Sequence, residues 1–262
     1  MVPIVPEDQD RAPAYPPGTP CWVVMATPDA ETSVAFYSRL FGWKVSGPGG
    51  YTTLQLDGLD VAGMFQLPDE ARQAGAASRW LVYLATGDIG RQLDKVRPAG
   101  GTILSPAFDI PDAGRMAMVA DATGADFGLW EAWGHPGAAV MGKPGSLTWT
   151  ELLTRSRAAA ASFYTAVFGW EVEAVQAGGE TFITCSLNGT PVAGIMEMSA
   201  AWGDTPSFWM PYFAVSDTDA MASLAVTLGG EVATPPRDVG NGRLAVLRDP
   251  LGALFYIVTE SG

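Results

Sequence analysis

The chain has 262 residues, 48% of them hydrophobic, and 28 acidic against 15 basic side chains give a net charge of −13. That balance argues against nucleic acid and anionic membranes as partners, since both need a cationic face, and solubility is its ordinary role. Val2-Pro3-Ile4-Val5-Pro6 and Glu7-Asp8 give neither a basic start nor an apolar run, and no uncharged stretch is long enough to cross a bilayer, so a bacterial-type cytoplasmic protein is expected.

Residues 1–18, with Pro13, Pro16 and Pro17, read as an extended arm. Cys21 to Ala26 is a short apolar run that fits a strand. Thr27-Pro28-Asp29 then supplies a helix start, with a hydroxyl cap, a proline in the first turn and an acidic group at the positive dipole end. Val34, Tyr37, Leu40 and Phe41 fall on one helical face, and Gly42 is the stop. Strands are predicted at Tyr51 to Leu56 and Val61 to Gln66, on either side of the turn Asp57-Gly58. The next segment repeats the plan: a strand at Trp80 to Ala85, a helix face of Ile89, Leu93 and Val96, a stop at Gly100-Gly101, and strands at Thr102–Leu104, Met116–Ala120 and Phe127–Trp130.

The whole plan then recurs. Phe36-Tyr37-Ser38-Arg39-Leu40-Phe41-Gly42-Trp43 returns 127 residues later as Phe163-Tyr164-Thr165-Ala166-Val167-Phe168-Gly169-Trp170, and Val61-Ala62-Gly63-Met64 returns as Val192-Ala193-Gly194-Ile195. A repeat of half the chain means two copies of one domain, at residues 19–133 and 147–262, joined by a glycine- and proline-rich linker at residues 134–146. Each copy is large enough to bury a core without disulfides. Cys21 and Cys185 do not occupy corresponding positions and read as separate buried thiols.

Four strand–helix–strand–strand–strand units in this order resemble the glyoxalase/bleomycin-resistance/extradiol-dioxygenase (vicinal oxygen chelate) superfamily. The resemblance is carried by Phe36-Tyr37…Phe41-Gly42-Trp43 with its repeat, by Asp249-Pro250-Leu251-Gly252 with Asp121-Ala122-Thr123-Gly124, and by the glycine pairs after each second helix. It is nearest to two-domain glyoxalase-like proteins of antibiotic-producing bacteria that carry the label hydroxylase. It implies an α+β fold in which four βαβββ units pair into two tandem eight-stranded cupped sheets with helices outside.

The same resemblance implies where metal ligands would stand: Trp22 and Trp149 on the first strands, Gly128 and Tyr256 on the last strands, and Leu81 and Met210 for the further dioxygenase histidine. None is an imidazole, carboxylate or thiolate. The single histidine, His135, lies in the linker and reads as a solvent-exposed loop residue. Neither a metal nor another cofactor is therefore expected.

Strand alternation, in the register the resemblance implies, lines the first cup with Trp22, Val24, Leu81, Tyr83, Asp126, Gly128 and Trp130, and the second with Trp149, Glu151, Met210, Tyr212, Leu254, Tyr256 and Val258. Aromatic walls suit a flat conjugated ligand, and Gly128 would leave volume open in the first cup. Glu151 in an aromatic pocket would have its pKa raised and so become a usable acid/base, with Tyr212 or Tyr256 hydrogen-bonding a developing enolate or phenolate. Arg115 and Arg243 read as turn or rim residues.

These residues point to a metal-independent enzyme of specialised metabolism performing isomerisation, cyclisation, ring opening or hydration on an aromatic or polyketide-like small molecule. A redox enzyme of the same biosynthetic pathway is a candidate partner. Two other readings stay open: a non-catalytic binding protein for a drug or metabolite, and glyoxalase-like detoxification of small dicarbonyls.

Overall fold

The computed structural model describes residues 15–47, 50–177, 180–240 and 242–260. Most of the arm expected over residues 1–18 lies outside these. The elements are β1 (Pro20–Thr27), α1 (Ala30–Phe41), β2 (Lys44–Ser46), β3 (Tyr51–Leu56), β4 (Leu59–Gln66), α2 (Asp69–Gln73), β5 (Arg79–Ala85), α3 (Ile89–Val96), β6 (Thr102–Ile110), β7 (Gly114–Ala120) and β8 (Asp126–Ala132) in the first half. The second half has β9 (Leu147–Thr154), α4 (Arg157–Phe168), β10 (Glu171–Ala177), β11 (Glu180–Leu187), β12 (Thr190–Glu197), β13 (Phe208–Ala214), α5 (Thr218–Thr227), β14 (Glu231–Val239), β15 (Gly242–Arg248) and β16 (Leu254–Glu260). The strands form two eight-stranded sheets, ordered β2-β3-β4-β1-β5-β8-β7-β6 and β10-β11-β12-β9-β13-β16-β15-β14. This is the α+β architecture expected.

Local details differ from the sequence reading for physical reasons. The α1 cap is Asp29, whose Oδ1 accepts from the amides of Glu31 and Thr32, while the Thr27 hydroxyl closes the turn before it by accepting from Asp29 N. Strand β6 runs six residues beyond Leu104, past Pro106. It stands at the end of its sheet, and its register against β7 shifts on both sides of Ser105, which accommodates a residue without an amide hydrogen. Strand β14, with Pro235 and Pro236, uses the same device at the end of the second sheet.

The chain groups into two compact units. Among the described residues, one gathers 15–21, Val82–Gly137 and Trp149–Met210; the other gathers Trp22–Leu81, Ala138–Thr148 and 211–260. The duplicated Phe-Tyr…Phe-Gly-Trp phrase explains this grouping. In the second unit, Phe36, Tyr37 and Phe41 lie along the buried side of α1, Gly42 ends it at φ 77°, and Trp43 folds back onto the same cluster, 4.9 Å from Phe41 and 5.7 Å from Tyr37. Phe213 and Phe255, from the other half of the sequence, complete the cluster at 5.1 and 6.0 Å from Phe41. The first unit repeats the arrangement with Phe163, Tyr164 and Phe168 on α4, Trp170 just after the Gly169 stop, and Phe127 on β8; Trp170 stacks on Tyr164 at 4.7 Å. Each tryptophan also donates its indole N–H to a glycine carbonyl at a positive-φ turn: Trp43 to Gly145 at 2.7 Å and Trp170 to Gly18 at 2.9 Å.

A buried hydrogen-bond chain runs through each core. Trp80 Nε1 donates to Tyr37 Oη at 3.2 Å, and that hydroxyl donates to Asp249 Oδ2 at 3.1 Å. In the other unit Trp209 donates to Tyr164 at 2.9 Å, and Tyr164 to Asp121 at 3.1 Å. The second oxygen of each carboxylate accepts from the amides of its own Asp-x-x-Gly turn, Leu251 and Ala253 in one case and Thr123 and Ala125 in the other. Burial pushes both carboxyls above their ordinary range and both tyrosines well above theirs. Two of the motifs that carried the family resemblance are thus one structural device.

Candidate functional site

The first group of expected site residues assembles on β9 in the first unit. Strand alternation puts Trp149 and Glu151 on one face and Thr150 on the other. β9 runs parallel to β12 with Glu151 opposite Gly194. A methyl group on Gly194 would stand 3.1 Å from Glu151 Oε1 and 3.2 Å from Trp149 Nε1. The carboxylate and the indole therefore lie side by side over bare backbone, and the glycine of the repeated Val-Ala-Gly phrase is the floor beneath them. Glu151 is only 5% exposed, whereas Trp149 is half-buried. Met210, on β13, is wholly buried.

Tyr212 and Tyr256 come together in the second unit. They are register partners on the parallel strands β13 and β16, and their rings stack at 3.9 Å with planes 18° apart. Tyr256 is buried and Tyr212 half-buried.

The corresponding residues of the first half are packed differently. Tyr83 and Gly128 are register partners on β5 and β8, and a methyl on Gly128 would stand 2.1 Å from Tyr83 Cδ1. The volume expected to stay open beside Gly128 is thus filled by the Tyr83 ring, because a glycine lets the neighbouring strand's ring lie flat on the backbone. Trp22, 4% exposed, donates its indole N–H to Tyr51 Oη at 2.9 Å, and a methyl on Gly63 would stand 2.0 Å from that oxygen. Tyr51 exposes 45% of its surface while turning its hydroxyl inward, and burial of that end pushes its pKa up to about 12. Sequence reasoning missed Tyr51: its position on β3 says nothing until the pairing of β3 with β4 carries it over Gly63. Gly63 and Gly194 did have a signal, the repeated Val-Ala-Gly, whose role became clear only from the contacts.

Trp130 is buried and donates to the carbonyl of His135 at 2.8 Å, with the two rings 6.0 Å apart. His135 is accordingly half-buried against Trp130 rather than a solvent-exposed loop residue, since the indole N–H ties the linker backbone down. Asp126 is half-buried at the start of β8. Arg115 pairs with Asp109, and Arg243 with Asp219 and Asp238, all at the surface. Cys21 and Cys185 are separate buried thiols; burial raises both, Cys185 up to about 12, so neither is a ready nucleophile.

Comparison with known proteins now bears on this geometry. The model of the glyoxalase/bleomycin resistance protein/dioxygenase superfamily matches residues 21–129 and again 146–257. The chain belongs to this superfamily. A provisionally named glyoxylase of Mycobacterium tuberculosis, CFP32, is 40% identical over 252 residues, covering 93% of this chain and 95% of that protein. The anthracycline biosynthesis protein DnrV of Streptomyces peucetius is 38% identical over 259 residues, covering 93% of this chain and 94% of that protein. Among solved structures, the Mn(II)-bound glyoxalase of Novosphingobium aromaticivorans superposes with a TM-score of 0.67 at 14% identity, covering 94% of this chain and 83% of that one. The 2,3-dioxygenase LapB of Pseudomonas sp. KL28 gives the same TM-score at 14% identity, covering 95% and 94%. At that identity the structural likeness shows the fold alone.

The superfamily includes metal-binding members, so the donor set matters. Indole, phenol, thioether, leucine and glycine occupy the positions the resemblance assigns to ligands, and the Tyr83 ring covers Gly128. Among the described residues no three His, Cys, Asp or Glu side chains come together. These residues do not fit a transition metal. No helix among the described residues is long and apolar enough to cross a membrane.

Proposed function

We propose that the chain is a metal-independent enzyme of specialised metabolism that moves protons on an aromatic or polyketide-like small molecule. The reaction sits in the second half, with Glu151 as the acid/base. The carboxylate takes a proton from a carbon or hydroxyl of the substrate and returns it to another atom, giving isomerisation, cyclisation, ring opening or hydration. Trp149 is the wall against which the flat substrate lies.

One observation carries this reading: the two halves differ in chemistry and in access at matching positions. Glu151 stands where the first half has Val24, and the half-buried Trp149 and Tyr212 stand where the first half has the buried Trp22 and Tyr83. The likeness to DnrV, and to DauV of Streptomyces sp. strain C5, both named for anthracycline biosynthesis, supports the substrate class. The likeness to CFP32 favours a second reading, glyoxalase-like turnover of small dicarbonyls. The two part on one experiment, in which chelator-treated protein is incubated with aromatic polyketide intermediates and with methylglyoxal plus thiol. Conversion of the polyketide at an undiminished rate supports the proposal. Metal-dependent consumption of the dicarbonyl alone supports the second reading. Recovery of an unchanged polyketide bound in stoichiometric amount makes the chain a carrier instead.

A further inference from the structure

A cavity of about 320 Å³ lies within the first unit, apart from the residues assigned to proton transfer. Its wall is made by Tyr15, Pro17, Thr86, Trp130, Trp133 and Pro136, with small residues between them. Three aromatic rings and two prolines thus face one small volume, and none of the lining side chains is ionised. Trp133 exposes 54% of its surface, although a tryptophan gains more from burial than almost any other side chain. Burial holds the Tyr15 hydroxyl above the ordinary phenol range, so the wall keeps its uncharged state across physiological pH.

Charge selects the ligand. Two carboxylates stand directly behind the wall in sequence: Glu131 between Trp130 and Ala132, and Asp88 after Gly87. Both are fixed at the start of α3, Glu131 accepting from the amide of Ile89 at 2.8 Å and Asp88 from that of Arg91 at 3.0 Å. Arg91 pairs with Asp88 at 3.2 Å. No lysine or arginine lines the cavity, and the chain as a whole carries −13. Ring faces present negative charge, and several of them around one volume hold an alkylated ammonium ion, whose low hydration makes it easy to strip of water. No cationic side chain lines the cavity to hold an anion.

We propose that this cavity is a binding site for a small organic ammonium ion, held on the faces of Tyr15, Trp130 and Trp133. Neither the superfamily assignment nor the proton-transfer reading requires it. The test is a calorimetric titration of the full chain with choline and with 3,3-dimethylbutan-1-ol, its uncharged isostere. The expected result is one choline bound per chain, at least tenfold tighter than the alcohol. Trp133→Ala should weaken choline at least tenfold while Trp133→Phe keeps most of the binding, because an aromatic face and not the indole N–H is needed. Trp133 is more than half exposed, so both variants should fold, which circular dichroism checks. Equal binding of choline and the alcohol, choline binding unmoved by Trp133→Ala, or no choline binding at all would each overturn the proposal.

Discussion

Thr150 separates Trp149 from Glu151 and points away from them into the core, 1% exposed, its hydroxyl the one buried side-chain oxygen without a hydrogen-bond partner among the described residues. Val23 occupies the matching position in the first half. A buried hydroxyl without a partner costs about 1–3 kcal/mol. Thr150→Val should therefore raise stability by roughly 1 kcal/mol in urea denaturation, with activity unchanged. The two cup glycines separate structure from function in the same way. In Gly128→Ala the new methyl would meet the body of the buried Tyr83 ring, and unfolding stability should fall by about 1–3 kcal/mol. In Gly194→Ala the tight contacts are the ends of Glu151 and Trp149, so the fold should survive while turnover drops by tenfold or more. A stable and fully active Gly194→Ala protein would remove the floor role from that glycine.

At the scale of elements, the core hydrogen-bond chains fix how each helix meets its strands. Tyr37→Phe would leave both Trp80 Nε1 and Asp249 Oδ2 without their partner, at a cost of about 1–3 kcal/mol, and Tyr164→Phe should cost a similar amount. The buried carboxyls also set a pH dependence. Burial raises Asp249 above its unfolded value of 3.8, so the folded state holds the proton more tightly than the unfolded state does. Its stabilising share is complete below that value and is lost as pH rises through the raised one. The stability of the wild type relative to Asp249→Asn should accordingly be greatest below the unfolded value of 3.8 and shrink toward neutrality; urea titrations of both proteins at several pH values measure the difference.

Most of the elements were legible in the sequence because helix faces, stops and strand runs are local signals. The proline-bearing ends of β6 and β14 were not, since only their place at a sheet's end makes proline tolerable there. At the candidate site the alternation of Trp149 and Glu151 was legible from strand period alone. The filling of the space beside Gly128 was not, because the same tyrosine residue type lies flat on a glycine in one half and stacks on Tyr256 in the other.

For the whole molecule, the duplication has a consequence for folding. The aromatic cluster on α1 is completed by Phe213 and Phe255, and that on α4 by Phe127, so each helix finishes its core with residues from the opposite half of the sequence. A fragment of residues 19–133 or 147–262 expressed alone should lack a cooperative unfolding transition, and mixing the two should restore one. If either fragment unfolds cooperatively by itself, the cores do not depend on the opposite half in this way. Duplication also frees one half to specialise: Trp22 and Tyr83 are buried in the first half, whereas Trp149 and Tyr212 at the matching positions are half-buried and Glu151 stands beside Trp149. That division is the central claim, and Glu151→Gln tests it most directly, because the substitution keeps shape while removing the acid. With circular dichroism and thermal unfolding unchanged, conversion of the aromatic substrate should fall by two orders of magnitude or more; full turnover by the folded variant would contradict the account.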